Sequence, residues 1–282
     1  TANNGIYVSG ATLVVDGGEI SGNRSGCHVL YAWNSTVTIN GGEFYNNNSG
    51  NSTTMAAGTT ELTINGGTFG IKDGRVPGNG NTWTSCLLDS QNSAEVVVND
   101  GTYNGGFRVQ AGTSMTINGG SFNDCYGSNY NIYGSVTVKG GTYTDAAAIA
   151  FAQKYVAEGY MAVDNGDNTS TVIMPAAKVG NTVYDSIDEA IAAWTNNSTL
   201  TLLNDVTLND VITLKSTEHH ILNLGTYTLT AASGKNAIEI TPYGDGAGTA
   251  AKSCLTINAD ATNPGSINAG SKACIYYKKT NG

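Results

Sequence analysis

Six segments of the chain align without gaps on one short motif, at residues 13–20, 37–44, 62–69, 96–103, 115–122 and 136–143. The third copy reads Leu62-Thr-Ile-Asn-Gly-Gly-Thr-Phe69, and the others vary it conservatively. Counted from Gly17, Gly41, Gly66, Asp100, Gly119 and Gly140, successive copies are 24, 25, 34, 19 and 21 residues apart. A period this short rules out a propeller blade or a helical-hairpin unit, which need about 33–50 residues. It suits one turn of a solenoid built from short strands.

Each copy alternates with period two. Leu13, Val37, Leu62, Val96, Met115 and Val136 point one way, together with Val15, Ile39, Ile64, Val98, Ile117 and Val138. Val14, Thr38, Thr63, Val97, Thr116 and Thr137 point the other way. Parallel stacking at about 4.8 Å would turn each inward position into an aliphatic ladder. Ile20, Phe44, Phe69, Tyr103, Phe122 and Tyr143 would form a further column in which rings stack. At the corner, glycine tolerates positive φ and Asn is next best. Asn40, Asn65, Asn99 and Asn118 should bond amide to amide, and the ladder should stop at Asp16 and Lys139. Second apolar segments precede five copies: 6–8, 29–30, 87–88, 107–109 and 132–133. The expected fold is all-β, a right-handed parallel β-helix, because right-handed crossovers dominate parallel connections. The calcium-binding nonapeptide is absent, so neither a metal nor a cofactor is expected.

Composition narrows the partners. Charged residues make up 12% of the chain, against roughly 25% in an ordinary domain, while 40% are hydrophobic; disordered chains show the reverse. With 13 basic against 22 acidic side chains the net charge is -9, which argues against nucleic acid or an anionic membrane as partner. No apolar run approaches the ~18 residues of a membrane helix. Cys27, Cys86, Cys125, Cys254 and Cys274 form no CxxC pair and no zinc pattern. Buried thiols are favoured over a disulfide, because Cys27 and Cys86 open apolar segments.

After Tyr143 the pattern changes. Asp145 can cap a helix over the Ala-rich stretch that Gly159 ends, and residues 161–173 read as a hairpin about Asn165-Gly166. A second hairpin, at 178–184, precedes a capping box, Ser186-Ile-Asp-Glu189, and a short helix. Strand-like segments then resume at 200–203, 211–214, 221–224, 227–230, 238–240, 255–257 and 275–277. The expected organisation is a first array at 1–144, a helix-plus-hairpin cap at 145–176, and a second array with its own cap helix at 177–282. The whole would be a piece of a longer tandem protein.

The Thr-Ile-Asn-Gly-Gly-x-Phe copies, the junction from Tyr155 to Asp167 and the Lys178-Val-Gly-Asn-Thr-Val-Tyr184 restart resemble the large repetitive surface proteins of gut bacteria. Their arrays are similar to the pectate-lyase-like right-handed β-helix. The resemblance implies a secreted or cell-surface protein; the uniform repeats, the missing active-site signatures and the two tandem arrays make the expected function a non-catalytic adhesin or stalk that binds a glycan or a host surface protein. The alternative is a polysaccharide lyase or glycoside hydrolase whose catalytic residues lie partly beyond these residues, since the fold hosts both.

Candidate chemistry is sparse. Glu19 and Glu43 share one corner, but Thr or Ser follows in later copies, and a paired acid and base need a pocket that tunes them. The polygalacturonase-like signatures are missing, and Arg108 has no acidic neighbours in its own strand or the following one. His219 and His220 would face opposite ways on a strand, so a polar turn is expected there. His28 has no suggested Ser or Cys partner, leaving a triad unsupported. The Thr column is an imperfect hydroxyl array, interrupted by Val14 and Val97, and Thr is common on outward strand faces. Asn34, Asn51, Asn168 and Asn197 begin Asn-x-Ser/Thr triplets, as chance allows in this composition. The most informative irregularity is the 34-residue step, which holds Lys72, Asp73, Arg75 and Trp83. Insertions between repeats map to loops and often to binding faces. Lys72, Asp73, Arg75, Trp83 and the neighbouring Trp33 are therefore the expected ligand-binding residues.

Overall fold

The structure is a computed structural model that describes residues 5–21, 28–45, 54–70, 86–123, 131–241 and 254–278, apart from the side chains of residues 55, 86–89 and 131. It is mostly β, with 47% strand and 8% helix, and its sheets are largely parallel. Contacts divide it into two compact units, Thr1–Ile173 and Met174–Gly282.

In the first unit each turn of the repeat contributes three strands, one before the motif and two within it, and each strand joins a different sheet. The first sheet takes Ile6–Ser9, Leu30–Trp33, Thr54–Ala57, Cys86–Ser90, Gly106–Val109 and Asn131–Ile132, in that order. The second takes Thr12–Val15, Thr36–Ile39, Glu61–Ile64, Glu95–Val98, Ser114–Ile117 and Ser135–Val138. The third begins Glu19–Ile20, Glu43–Tyr45, Thr68–Gly70 and continues through Thr102–Asn104, Ser121–Asn123 and Thr142–Tyr143. Equivalent residues pair in register, Ile39 with Ile64, Ile64 with Val98, and Val98 with Ile117. All four are fully buried, so the period-two pattern lands its apolar face in one continuous core.

The aromatic column stacks as expected. Ring centroids from Phe44 through Phe69, Tyr103 and Phe122 to Tyr143 lie 4.8–5.0 Å apart with interplanar angles of 1–14°. Phe107 meets this column edge-on from the first sheet. The Asn ladder forms too, and it is longer than expected. Asn118, Asn99 and Asn65 each donate to the amide oxygen of the preceding copy at 2.8 Å. Asn40 donates to the Asp16 carboxylate at 2.7 Å, so Asp16 is the ladder's terminal acceptor, where the sequence suggested an interruption. A carboxylate accepts more strongly than an amide, which fixes the direction in which every amide points.

Helix α1 (Ala146–Tyr155) starts where Asp145 accepts from the N–H groups of Ala147 and Ala148. It buries Ala148, Phe151 and Ala152 on one face, and Phe151 packs edge-on against Phe107. The hairpin Met161–Asp164 with Ser170–Ile173 adds antiparallel to Thr142–Tyr143. Helix and hairpin thus both belong to the first unit.

The second unit opens with the antiparallel pair Ala177–Val179 and Thr182–Tyr184, then helix α2 (Ile187–Ala193). One five-stranded sheet carries that pair with Thr199–Leu202, His220–Asn223 and Leu255–Asn258. Two three-stranded parallel sheets follow: Val206–Thr207, Thr228–Thr230, Ser266–Asn268, and Ile212–Lys215, Ile238–Thr241, Ile275–Tyr277. Trp194 ends α2 buried, its indole N–H donating to the Ser198 carbonyl at 3.1 Å.

Candidate functional site

Alternation on the first sheet sends Ile6, Val8, Leu30 and Ala32 inward, and Tyr7, Ser9, Tyr31 and Trp33 outward. Register places Tyr7 beside Tyr31 and Ser9 beside Trp33. The Tyr7 and Tyr31 rings lie 5.3 Å apart at 52°, and His28 lies 5.5 Å from Tyr31 at 42°. Tyr7 is 59% exposed and Trp33 36%. Burial raises the Tyr31 phenol pKa, with a smaller push from Tyr7, so this hydroxyl keeps its proton at neutral pH.

Of the expected binding residues, Trp33 therefore sits on an outward aromatic face. Lys72, Asp73, Arg75 and Trp83 lie outside the described residues. Tyr7 and Tyr31 were not singled out from the sequence, and His28 was weighed there only as a triad member. Their signal was there, because Ile6-Tyr-Val8 and Leu30-Tyr-Ala-Trp33 alternate aliphatic with aromatic.

A second feature is a shallow, open groove of about 710 Å³ over the Gly-Gly corners, floored by Gly18, Gly42, Gly67 and Gly101 and edged by Glu19, Glu43 and Asp100. Glu19 pairs in register with Glu43, both side chains are exposed, and Ser21 donates to Glu19 at 2.7 Å. The Asp100 carboxylate accepts from the Gly101 N–H. All three carboxylates are exposed to solvent.

In the second unit His220 already belongs to a strand, and the two histidines diverge. His220 is 3% exposed, with Nε2 3.2 Å from Glu218 Oε2 and the ring edge-on to Trp194. His219 Nε2 lies 3.0 Å from the Thr256 hydroxyl. The bonds from His220 and Lys215 lower the Glu218 pKa. Among the described residues no three His, Cys, Asp or Glu side chains converge as a metal site would require. Cys254 and Cys274 are free thiols, and Cys274 is exposed, contrary to the expectation of buried thiols. Its Sγ lies 3.1 Å from the Ile267 carbonyl. No helix among the described residues is long and apolar enough to cross a membrane.

No family model, curated protein or solved structure matches this chain.

Proposed function

We propose that each unit is a right-handed parallel β-helix and that the chain is a non-catalytic scaffold, part of a bacterial surface adhesin or stalk. It would work outside the cell or on its surface, presenting a face to a glycan or a host surface protein. The observation that carries this reading is the outward aromatic face around Trp33, held on strands whose inward residues, Leu30 and Ala32 fully buried and Ile6 and Val8 partly so, pack into a stacked core. Ligand faces are most effective on rigid elements. Three parallel sheets that take every third strand support the helical winding, and right-handed connection is the general rule.

A polysaccharide lyase or hydrolase is the second reading, favoured by the groove along Glu19, Glu43 and Asp100. Incubation with pectin, xylan and mucin, followed by assay of new reducing ends, separates the two, alongside a glycan and host-protein array. The scaffold reading expects array binding without cleavage. Cleavage abolished by Glu19→Gln with Glu43→Gln would replace it with the enzyme.

A further inference from the structure

We infer that Tyr7, His28, Tyr31 and Trp33 form a platform for an uncharged pyranose sugar, the rings covering its C–H face and their polar edges meeting its hydroxyls. This rests on the scaffold reading above and names the ligand class. Single exposed apolar residues are ordinary, but a contiguous aromatic group open to solvent marks an interaction site; Tyr7 and Trp33 are exposed, and Tyr31 and His28 are half-buried beside them. Here Tyr7, Tyr31 and His28 are in ring contact. Trp33 shares their outward face, two residues along the strand from Tyr31. Tyr and Trp combine an apolar body with an O–H or N–H edge, which matches a sugar whose ring faces are apolar and whose rim is polar.

Charge selects among ligands. The four residues include no Asp, Glu, Lys or Arg, and the chain carries a net charge of -9. Uronates and sulfated sugars would be repelled by that field. A quaternary ammonium ion is held by rings that surround it, whereas these tilt side by side on one sheet face. A protein partner needs roughly 20–30 residues a side, far more than this patch offers. One or two sugar rings fit its extent.

The test titrates the whole chain with cellohexaose, xylohexaose and maltohexaose, and with oligogalacturonate and choline as charged probes. Calorimetry and tryptophan fluorescence read the binding. At least one neutral hexasaccharide is expected to bind. Trp33→Ala and Tyr31→Ala should each weaken it at least about thirtyfold, the step of a hot-spot residue, while Tyr31→Phe retains most of it. Gln153→Ala, on the exposed side of helix α1, should leave it unchanged. Circular dichroism confirms folding, and the more exposed Trp33 keeps the test valid if Tyr31→Ala unfolds. Binding only to oligogalacturonate or choline, no binding to any neutral sugar, or undiminished affinity in Trp33→Ala would overturn the inference. A host-protein hit without sugar binding would overturn it and leave the scaffold reading standing. Cleavage of the hexasaccharides would instead overturn the scaffold reading.

Discussion

Thr54 sits in register between Leu30 and Leu88 on the inward side of the first sheet, fully buried. Its hydroxyl meets no hydrogen-bond partner among the described residues. A desolvated, unpaired hydroxyl costs about 1–3 kcal/mol, so Thr54→Val, which keeps the shape, should stabilise the protein by about 1 kcal/mol. Calorimetry should show the melting temperature rise by about 2–4 °C; an unchanged or lower value would mean the hydroxyl has a partner. The Asn-x-Ser/Thr triplets acquire a different explanation at this scale. Asn34, Asn168 and Asn197 all have positive φ, at 48°, 64° and 63°, a conformation Asn tolerates best after glycine. The Asn34 side chain also accepts from the Thr59 N–H of the next copy. These asparagines answer to the backbone, which a three-residue pattern does not reveal.

At the scale of the element, the Gly-Gly corner shows why stacking tolerates so little there. Gly67 has φ +113°, and a Cβ on Gly119 would stand 2.4 Å from the Asn99 carbonyl oxygen of the preceding copy. At Gly17, in the first described copy, no atom lies within 4 Å of such a Cβ, and φ is not positive. Gly119→Ala should therefore force two copies apart and cost about 2 kcal/mol or more. Gly17→Ala, at the same motif position, should be neutral or stabilising by about 0.4–1 kcal/mol. Urea unfolding of the two variants side by side checks this, and equal losses would contradict the stacked register. Most strands were legible from alternation. Thr54–Ala57 was not, because Thr-Met-Ala-Ala has little strand character of its own; pairing with Leu30–Trp33 and Cys86–Ser90 makes it a strand. Val206–Thr207 and Ser266–Asn268 were missed for the same reason, being too short for a period to register.

For the whole molecule, the two units should differ in their response to pH. In the first, burial raises the pKa values of Tyr103 and Tyr143 far above 10, while their hydroxyls donate to the carbonyls of Asp100 and Gly140. Raised folded values mean that this contribution is intact below the unfolded pKa of about 10 and is lost as pH climbs beyond it. Lowered carboxylates are more numerous in the second: Asp210 is lowered chiefly by its bond to Lys235, Glu218 by His220 and Glu239 by Asn236, against Asp167, lowered by Thr169, in the first. Lowered values mean stability present above the unfolded carboxylate range, about 4, and lost as pH falls through the folded values. Alkaline titration at the tyrosinate absorbance should show a fraction of tyrosines ionising only on unfolding. Acid should first disturb the second unit, read from the Trp194 indole proton by NMR. Full tyrosine ionisation in a folded chain would refute the first expectation, and an indole signal unchanged down to unfolding of the first unit the second.

The sequence by itself determined the inward and outward sets, the aromatic and asparagine columns and both helix caps, because each follows from local periodicity or a few adjacent residues. It also contained the aromatic alternation at Tyr7 and Tyr31. Only the tertiary structure decided that Asp16 accepts from Asn40, that the hairpin extends the third sheet antiparallel to Thr142–Tyr143, and that Tyr7, His28, Tyr31 and Trp33 share one face. The reason is physical: periodicity tells which way a side chain points, whereas its neighbours come from strands some 24 residues away, brought alongside only when the chain stacks in register.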